Sequence, residues 1–194
     1  MKPFPLTLVW LSMAGISQAA AIFPDFDGVS TEIGECCGAP VTNIINGSGL
    51  SSRDPSATHA VTDNWIGTSK TGTLTFDLAG EFELTGVALW NTAFGVSSFR
   101  LEASTDGVNY QPMLGTTALA NVASGSTTTA ETFTFPPVTA SYVKMTLLDG
   151  YSVANSTGLK EVLFISNVPE PGTVGLSLAA LSALGIRRRR SAAQ

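Results

Sequence analysis

The chain reads as all-β, an antiparallel β-sandwich, and three observations predict it. Between residues 22 and 166 no stretch holds apolar residues at helical spacing. Short runs instead alternate apolar with polar residues, the period of a strand with one buried face. Turn-forming pairs such as Asp106-Gly107 separate those runs.

Each expected element follows from its residues. Residues 22–70 are broken by Gly28, Gly34, Gly38, Pro40, Gly47, Gly49 and Pro55 and read as loop, with Phe23 and Phe26 tucked onto the domain and a first short strand over 41–45. Leu74, Phe76 and Leu78 alternate with Thr73, Thr75 and Asp77, and Gly80-Glu81 is expected to turn the chain. Residues 84–91 are nearly continuous in apolar side chains, as in a strand buried on both faces. Phe99, Leu101 and Ala103 form the cleanest alternation, followed by the Asp106-Gly107 hairpin and Tyr110. Residues 115–130, rich in Thr, Ser and Ala, suit a flexible connection or an edge strand. Phe133 and Phe135 mark a strand that Pro136-Pro137 should end. Val143, Met145 and Leu147 are the inward side of residues 141–148. A polar loop over 149–157 and a last strand over 159–166 complete the domain. Seven or eight short strands with no convincing helix give the sandwich.

Both ends carry address signals. Lys2, the apolar residues 6–16 and small residues at Ala19, Ala20 and Ala21 make residues 1–21 a secretory signal peptide. At the other end, Pro169, Glu170 and Pro171 lie in a break over 167–172. An uncharged run over 173–186 follows, then Arg187, Arg188, Arg189 and Arg190 in a basic tail over 187–194. As helix the run is about 21 Å long, short of the roughly 30 Å hydrocarbon core. It has no polar stripe for a solvent face, and arginine stems snorkel to headgroups, so a transmembrane helix is expected. The arginines place the C-terminus in the cytoplasm and the domain outside.

These tail residues, in this order, resemble the PEP-CTERM sorting signal of Gram-negative bacteria. The resemblance implies processing by an exosortase after signal peptidase, in a bacterium that makes exopolysaccharide. It also implies export across the inner membrane to the cell surface or matrix, with only a transient membrane anchor. Once the tail is cut, the mature protein is acidic and extracellular.

Charge and cysteine content narrow the function. Without its ends the chain keeps five basic residues against fifteen acidic ones, about −10. That balance excludes nucleic acid and anionic membrane surfaces as partners, since both demand a basic footprint. Cys36 and Cys37 are adjacent, and in an oxidising compartment they form either a vicinal bond or bridges between chains. His59 is the only histidine, so a Ser-His-Asp arrangement has one candidate base and no nucleophile elbow beside it. No catalytic residue is assigned.

The order of features across residues 41–166 is similar to the discoidin-like, coagulation-factor C-type domain, a galactose-binding-like jelly roll. Asn46-Gly47, Trp65, Phe76-Asp77-Leu78, Asp106-Gly107 with Tyr110, Tyr142-Val143-Lys144 and Leu159-Lys160-Glu161-Val162 carry it. The resemblance implies a structural calcium held by Glu161 with Asn46 and the oxygen of Ser48, although the family's Asp-Gly is Asn46-Gly47 here. Glu161 sits among Leu159, Leu163 and Ile165 on one face of its strand. If no metal binds there, Arg53, Lys70 or Lys160 is the expected partner, or the side chain is exposed. The resemblance also implies aromatic stacking on sugar rings. Phe94 and Tyr151 are the surface candidates, with Asn91 and Asn155 (and Asn64) as hydrogen-bonding groups, while Trp65 and Trp90 belong to the core. The expected function is non-catalytic binding of extracellular polysaccharide. The alternative is a structural or adhesive surface protein whose partners are proteins or itself, the reading that crosslinks through Cys36 and Cys37 would favour.

Overall fold

The computed structural model describes residues 21–60 and 63–167. The expected signal peptide, sorting motif, membrane helix and arginine cluster lie outside the described residues, among which no helix is long and apolar enough to cross a membrane. Ten strands and one 3₁₀ turn appear in the order β1 (Ala21–Ile22), β2 (Phe26–Thr31), the turn (Val41–Ile44), β3 (Thr58–His59), β4 (Trp65–Gly67), β5 (Gly72–Asn91), β6 (Val96–Ser104), β7 (Gln111–Ala118), β8 (Thr128–Thr129), β9 (Glu131–Gly150) and β10 (Thr157–Asn167). All pairings are antiparallel, in the order β1-β10-β5-β9-β6-β7, with β2 on β5, β4 on β10, and a separate β3-β8 ribbon.

The sandwich arises because the two longest strands serve both layers. The first half of β5 pairs with β2, its second half with β10, and β9 accompanies it throughout. Gly80-Glu81 therefore bends the strand rather than ending it: Asp77 pairs with Tyr142 and Phe82 with Ala140, so residues 78–81 form a bulge against β9 at the corner. Pro136-Pro137 likewise fails to end β9. Leu84 pairs with Val138 and Gly86 with Thr134, which leaves the prolines in a bulge where a missing N–H removes no ladder bond.

Two other expectations change. Residues 41–45 form a 3₁₀ turn, not a strand: Asn43 N–H donates to Pro40 O (3.1 Å), and Val41 and Ile44, three apart, bury one face. Phe26 opens a strand rather than merely tucking in, and its ring lies 5.9 Å from Phe76 and 5.9 Å from Phe164. Phe76 and Phe164 meet edge-on at 5.4 Å, so this trio ties β2, β5 and β10 together.

One bulge sets which way the side chains of β10 face. Leu159 pairs with Asn91 but Glu161 with Trp90, so Lys160 is an extra residue in the strand. The alternation inverts there. Leu159 joins Val162 and Phe164 in the large core between the layers, correcting the expectation that it shares the face of Glu161. Leu163 packs instead with Ala57, Ala88 and Trp90 in a second cluster, flanked by Leu50 and Phe23.

Candidate functional site

Two regions gather polar groups that regular structure does not satisfy. The first is a cleft of about 160 Å³ built from three loops, lined by Asn64, Ile66, Thr92, Phe94, Ser152, Ser156, Thr157 and Gly158 among others. Asn91 closes β5 at its edge and is buried (2 % exposed). Its Nδ2 donates to Val96 O (2.8 Å) and Ala120 O (2.7 Å), and its Oδ1 accepts from Thr92 N–H (3.0 Å). Asn91 thus staples the next loop instead of reaching solvent, a correction to its expected role. Gly95 completes the turn because a Cβ there would lie 2.1 Å from Asn91 Oδ1.

The staple presents Phe94. Its backbone is left-handed (φ 59°) and its ring is 56 % exposed. A bulky residue held in that region costs roughly 1–3 kcal/mol and is a mark of functional loops. Tyr151 N–H donates to Gly95 O (2.8 Å) and its hydroxyl to Leu119 O (2.9 Å), so Tyr151 braces this loop. Asn155 lies on the neighbouring loop, where its Oδ1 accepts from Lys70 N–H (3.4 Å). Of the four expected ligand residues, Phe94 lines the cleft. Sequence reasoning missed Thr157, a threonine in a polar loop with no periodic signal. It is 2 % exposed, and its hydroxyl finds no partner among the described residues.

The second region is a cavity of about 70 Å³ lined by Ile45, Asn46, Gly47, Leu50, Arg53 and Glu161 among others. Glu161 is 2 % exposed. Burial pushes its carboxyl up to about 8, partly opposed by a hydrogen bond from the Gly47 backbone and by the Arg53 charge. Two of the partners expected for it are engaged elsewhere. The Arg53 guanidinium pairs with Asp25 and Pro24 O. Lys160, also buried, donates to Ser126 O (3.0 Å) and to the Thr128 hydroxyl, and burial lowers its pKa. Facing Glu161 Oε2 is His59 Nε2, at 3.9 Å. Burial lowers the His59 pKa, and its Nδ1 lies 2.8 Å from Ala60 O. Gly49 admits the ring, since a Cβ there would stand 2.7 Å from it.

The side chains around Glu161 do not make a calcium shell. Calcium takes six to eight oxygens. Asn46 Oδ1 accepts from Ser48 N–H (2.7 Å), the Ser48 hydroxyl donates to Asp63 (3.0 Å), and the facing group on the other side is a nitrogen. Among the described residues no cluster of three His, Cys, Asp or Glu could hold a metal. Cys36 and Cys37 are bonded to each other, and Cys36 N–H donates to Ile66 O (2.9 Å) beside the cleft.

The F5/8 type C domain model matches residues 38–161, well over half the chain. This chain belongs to the F5/8 type C domain family. A PEP-CTERM protein-sorting motif matches residues 167–191, so the domain runs directly into a sorting signal. Solved structures share the fold. A CBM32 of AlyQ in complex with 4,5-unsaturated mannuronic acid is 22 % identical, with 74 % of this chain and 97 % of that one covered at a TM-score of 0.52. A pectin-binding carbohydrate-binding module is 22 % identical (76 % and 96 % covered, TM-score 0.51). A CBM32 from Clostridium perfringens in complex with GalNAc-β-1,3-galactose is 17 % identical (71 % and 93 % covered, TM-score 0.53). Against truncated AlyQ with its alginate lyase domain, the F5/8 type C chain spans 36 % of the partner's length. No protein of curated function matches.

Proposed function

We propose that this F5/8 type C domain is a non-catalytic sugar-binding module of an exported protein, released at the cell surface or into the matrix by exosortase cleavage near Pro169-Glu170-Pro171. The cleft below Phe94 carries the reading. An exposed aromatic ring on a strained loop offers a stacking face, and Asn64, Ser152 and Ser156 offer groups for sugar hydroxyls. The structural neighbours in complex with 4,5-unsaturated mannuronic acid or GalNAc-β-1,3-galactose, and the pectin-binding module, support it by analogy of fold.

The ligand is a neutral sugar chain. Among the described residues no basic side chain lines the cleft, and the exported region is strongly acidic, so a uronate would meet repulsion without an opposing cation. The bacterium's own exopolysaccharide is the proposed partner. The adhesive alternative loses its particular support, because Cys36 and Cys37 close on each other instead of linking chains. A glycan array spanning neutral and acidic oligosaccharides tests the reading, with binding to neutral chains expected and a blank array contradicting it.

A further inference from the structure

Cys36 and Cys37 are bonded to each other, yet the bond closes almost no chain. A disulfide stabilises a fold chiefly by closing a long loop of the unfolded chain, so one between sequence neighbours does little for the whole domain. Its effect is local. Cys37 holds a left-handed backbone (φ 64°), a region in which a residue with a side chain is disfavoured by about tenfold. Gly34 and Gly38 in the same turn are left-handed too (φ 80° and 71°), but glycine adopts that conformation freely. The bond to Cys36 restrains the one left-handed residue of this turn that is not glycine.

The turn so held grips one wall of the cleft. Cys36 N–H donates to Ile66 O (2.9 Å), and Ile66 N–H donates to Ala39 O (3.4 Å). Ile66 is clamped by the turn on one side and by β10 on the other, where it pairs with Gly158. Both Ile66 and Gly158 line the cleft. The cysteine pair is also open to solvent. Cys37 is exposed, Cys36 is half-buried, and a surface pocket of about 280 Å³ runs along Glu35, Cys36, Cys37 and Gly38. Exposed disulfides are the ones that exchange with thiols.

We propose that Cys36–Cys37 is a thiol–disulfide exchange site for a dithiol reductant and, on the sugar-binding reading of the cleft, that its state tunes that binding. A thiolate of the reductant attacks Sγ of Cys37, the more exposed residue. The S–S bond breaks, and Cys36 Sγ leaves as a thiolate that takes up a proton. The reductant's second thiol loses its proton, displaces Cys37 Sγ as a thiol and closes the reductant's own disulfide. Two electrons and two protons pass to the chain. Freed of the crosslink, Cys37 leaves the left-handed region, and the two bonds to Ile66 loosen.

The test compares the purified protein in air with the same protein in dithiothreitol. Iodoacetamide is expected to label both cysteines after reduction and neither before. Amide exchange at Cys36 and Ile66 should quicken by about tenfold, while amides of the β5–β9 pair stay unchanged. The neutral oligosaccharide that binds best on the array should bind the reduced protein several-fold more weakly. A Cys36→Ser, Cys37→Ser variant behaves as the reduced protein with or without reductant; if it does not fold, the wild type decides alone. No labelling, equal exchange at Cys36 and Ile66 in the two states, or equal sugar affinity overturns the proposal. A blank array contradicts the sugar reading instead, and the amide exchange, which needs no sugar, then decides whether the turn responds.

Discussion

The cleft under Phe94 and the cavity around Glu161 both hold polar atoms without partners, yet they are built oppositely. The cleft is open, uncharged and topped by an exposed ring. The cavity is narrower, and Glu161 lines it from β10 against the loop over 45–50, beside the Trp90 cluster. Exposure decides what each can receive. Neutral hydroxyls and a strained aromatic at a surface suit a polyol arriving from water. A carboxyl raised to about 8 and an imidazole lowered by burial are both largely neutral near pH 7, so the buried pair belongs to the packing of the domain and not to a ligand from water.

The contrast is broken most strongly by truncating an aromatic on the cavity side. Trp90 is fully buried in the second cluster and donates to Ala57 O at 2.9 Å. Trp90→Ala should lower stability by about 3–5 kcal/mol, read by urea unfolding. On the cleft side the sign reverses. Thr157→Val keeps the shape and removes a buried, unpaired hydroxyl, so it should raise stability by about 1 kcal/mol and leave sugar binding unchanged, seen by melting and titration together. The smallest effect lies away from both regions. Asp106 accepts from Val108 N–H (2.9 Å) and Asn109 N–H (2.8 Å) in the β6–β7 hairpin, bonds that hold its carboxyl well below the ordinary range. A depressed carboxyl stabilises above its ordinary pKa and loses that contribution as pH falls. Asp106→Ala should therefore be slightly less stable at neutral pH, and the difference should start to shrink only as pH falls below about 4.

Much of the sandwich was legible because a half-buried strand must alternate. Leu74, Phe76 and Leu78 announced one half of β5, and Phe99, Leu101 and Ala103 announced β6. The features that stayed hidden depend on irregularity. The bulge at Lys160 inverts the facing of β10, and bulges let β5 and β9 pass through Gly80-Glu81 and Pro136-Pro137. In the sites, Phe94 was legible as an aromatic in a loop. Asn91 was misread because an asparagine that ends a buried strand and one that binds a ligand look alike until its hydrogen bonds are traced. His59 was noted for being single, but its pairing with Glu161 crosses most of the chain and leaves no local pattern.

Sugar binding at the open cleft is the central claim, and one comparison tests it most directly. Wild type and Phe94→Ala are titrated calorimetrically with the neutral oligosaccharide that binds best on the array. The account predicts at least tenfold weaker binding for Phe94→Ala, about 1.4 kcal/mol, with stability unchanged within about 0.5 kcal/mol because the ring is exposed. Equal affinity in the two proteins, with both fully folded, would contradict it.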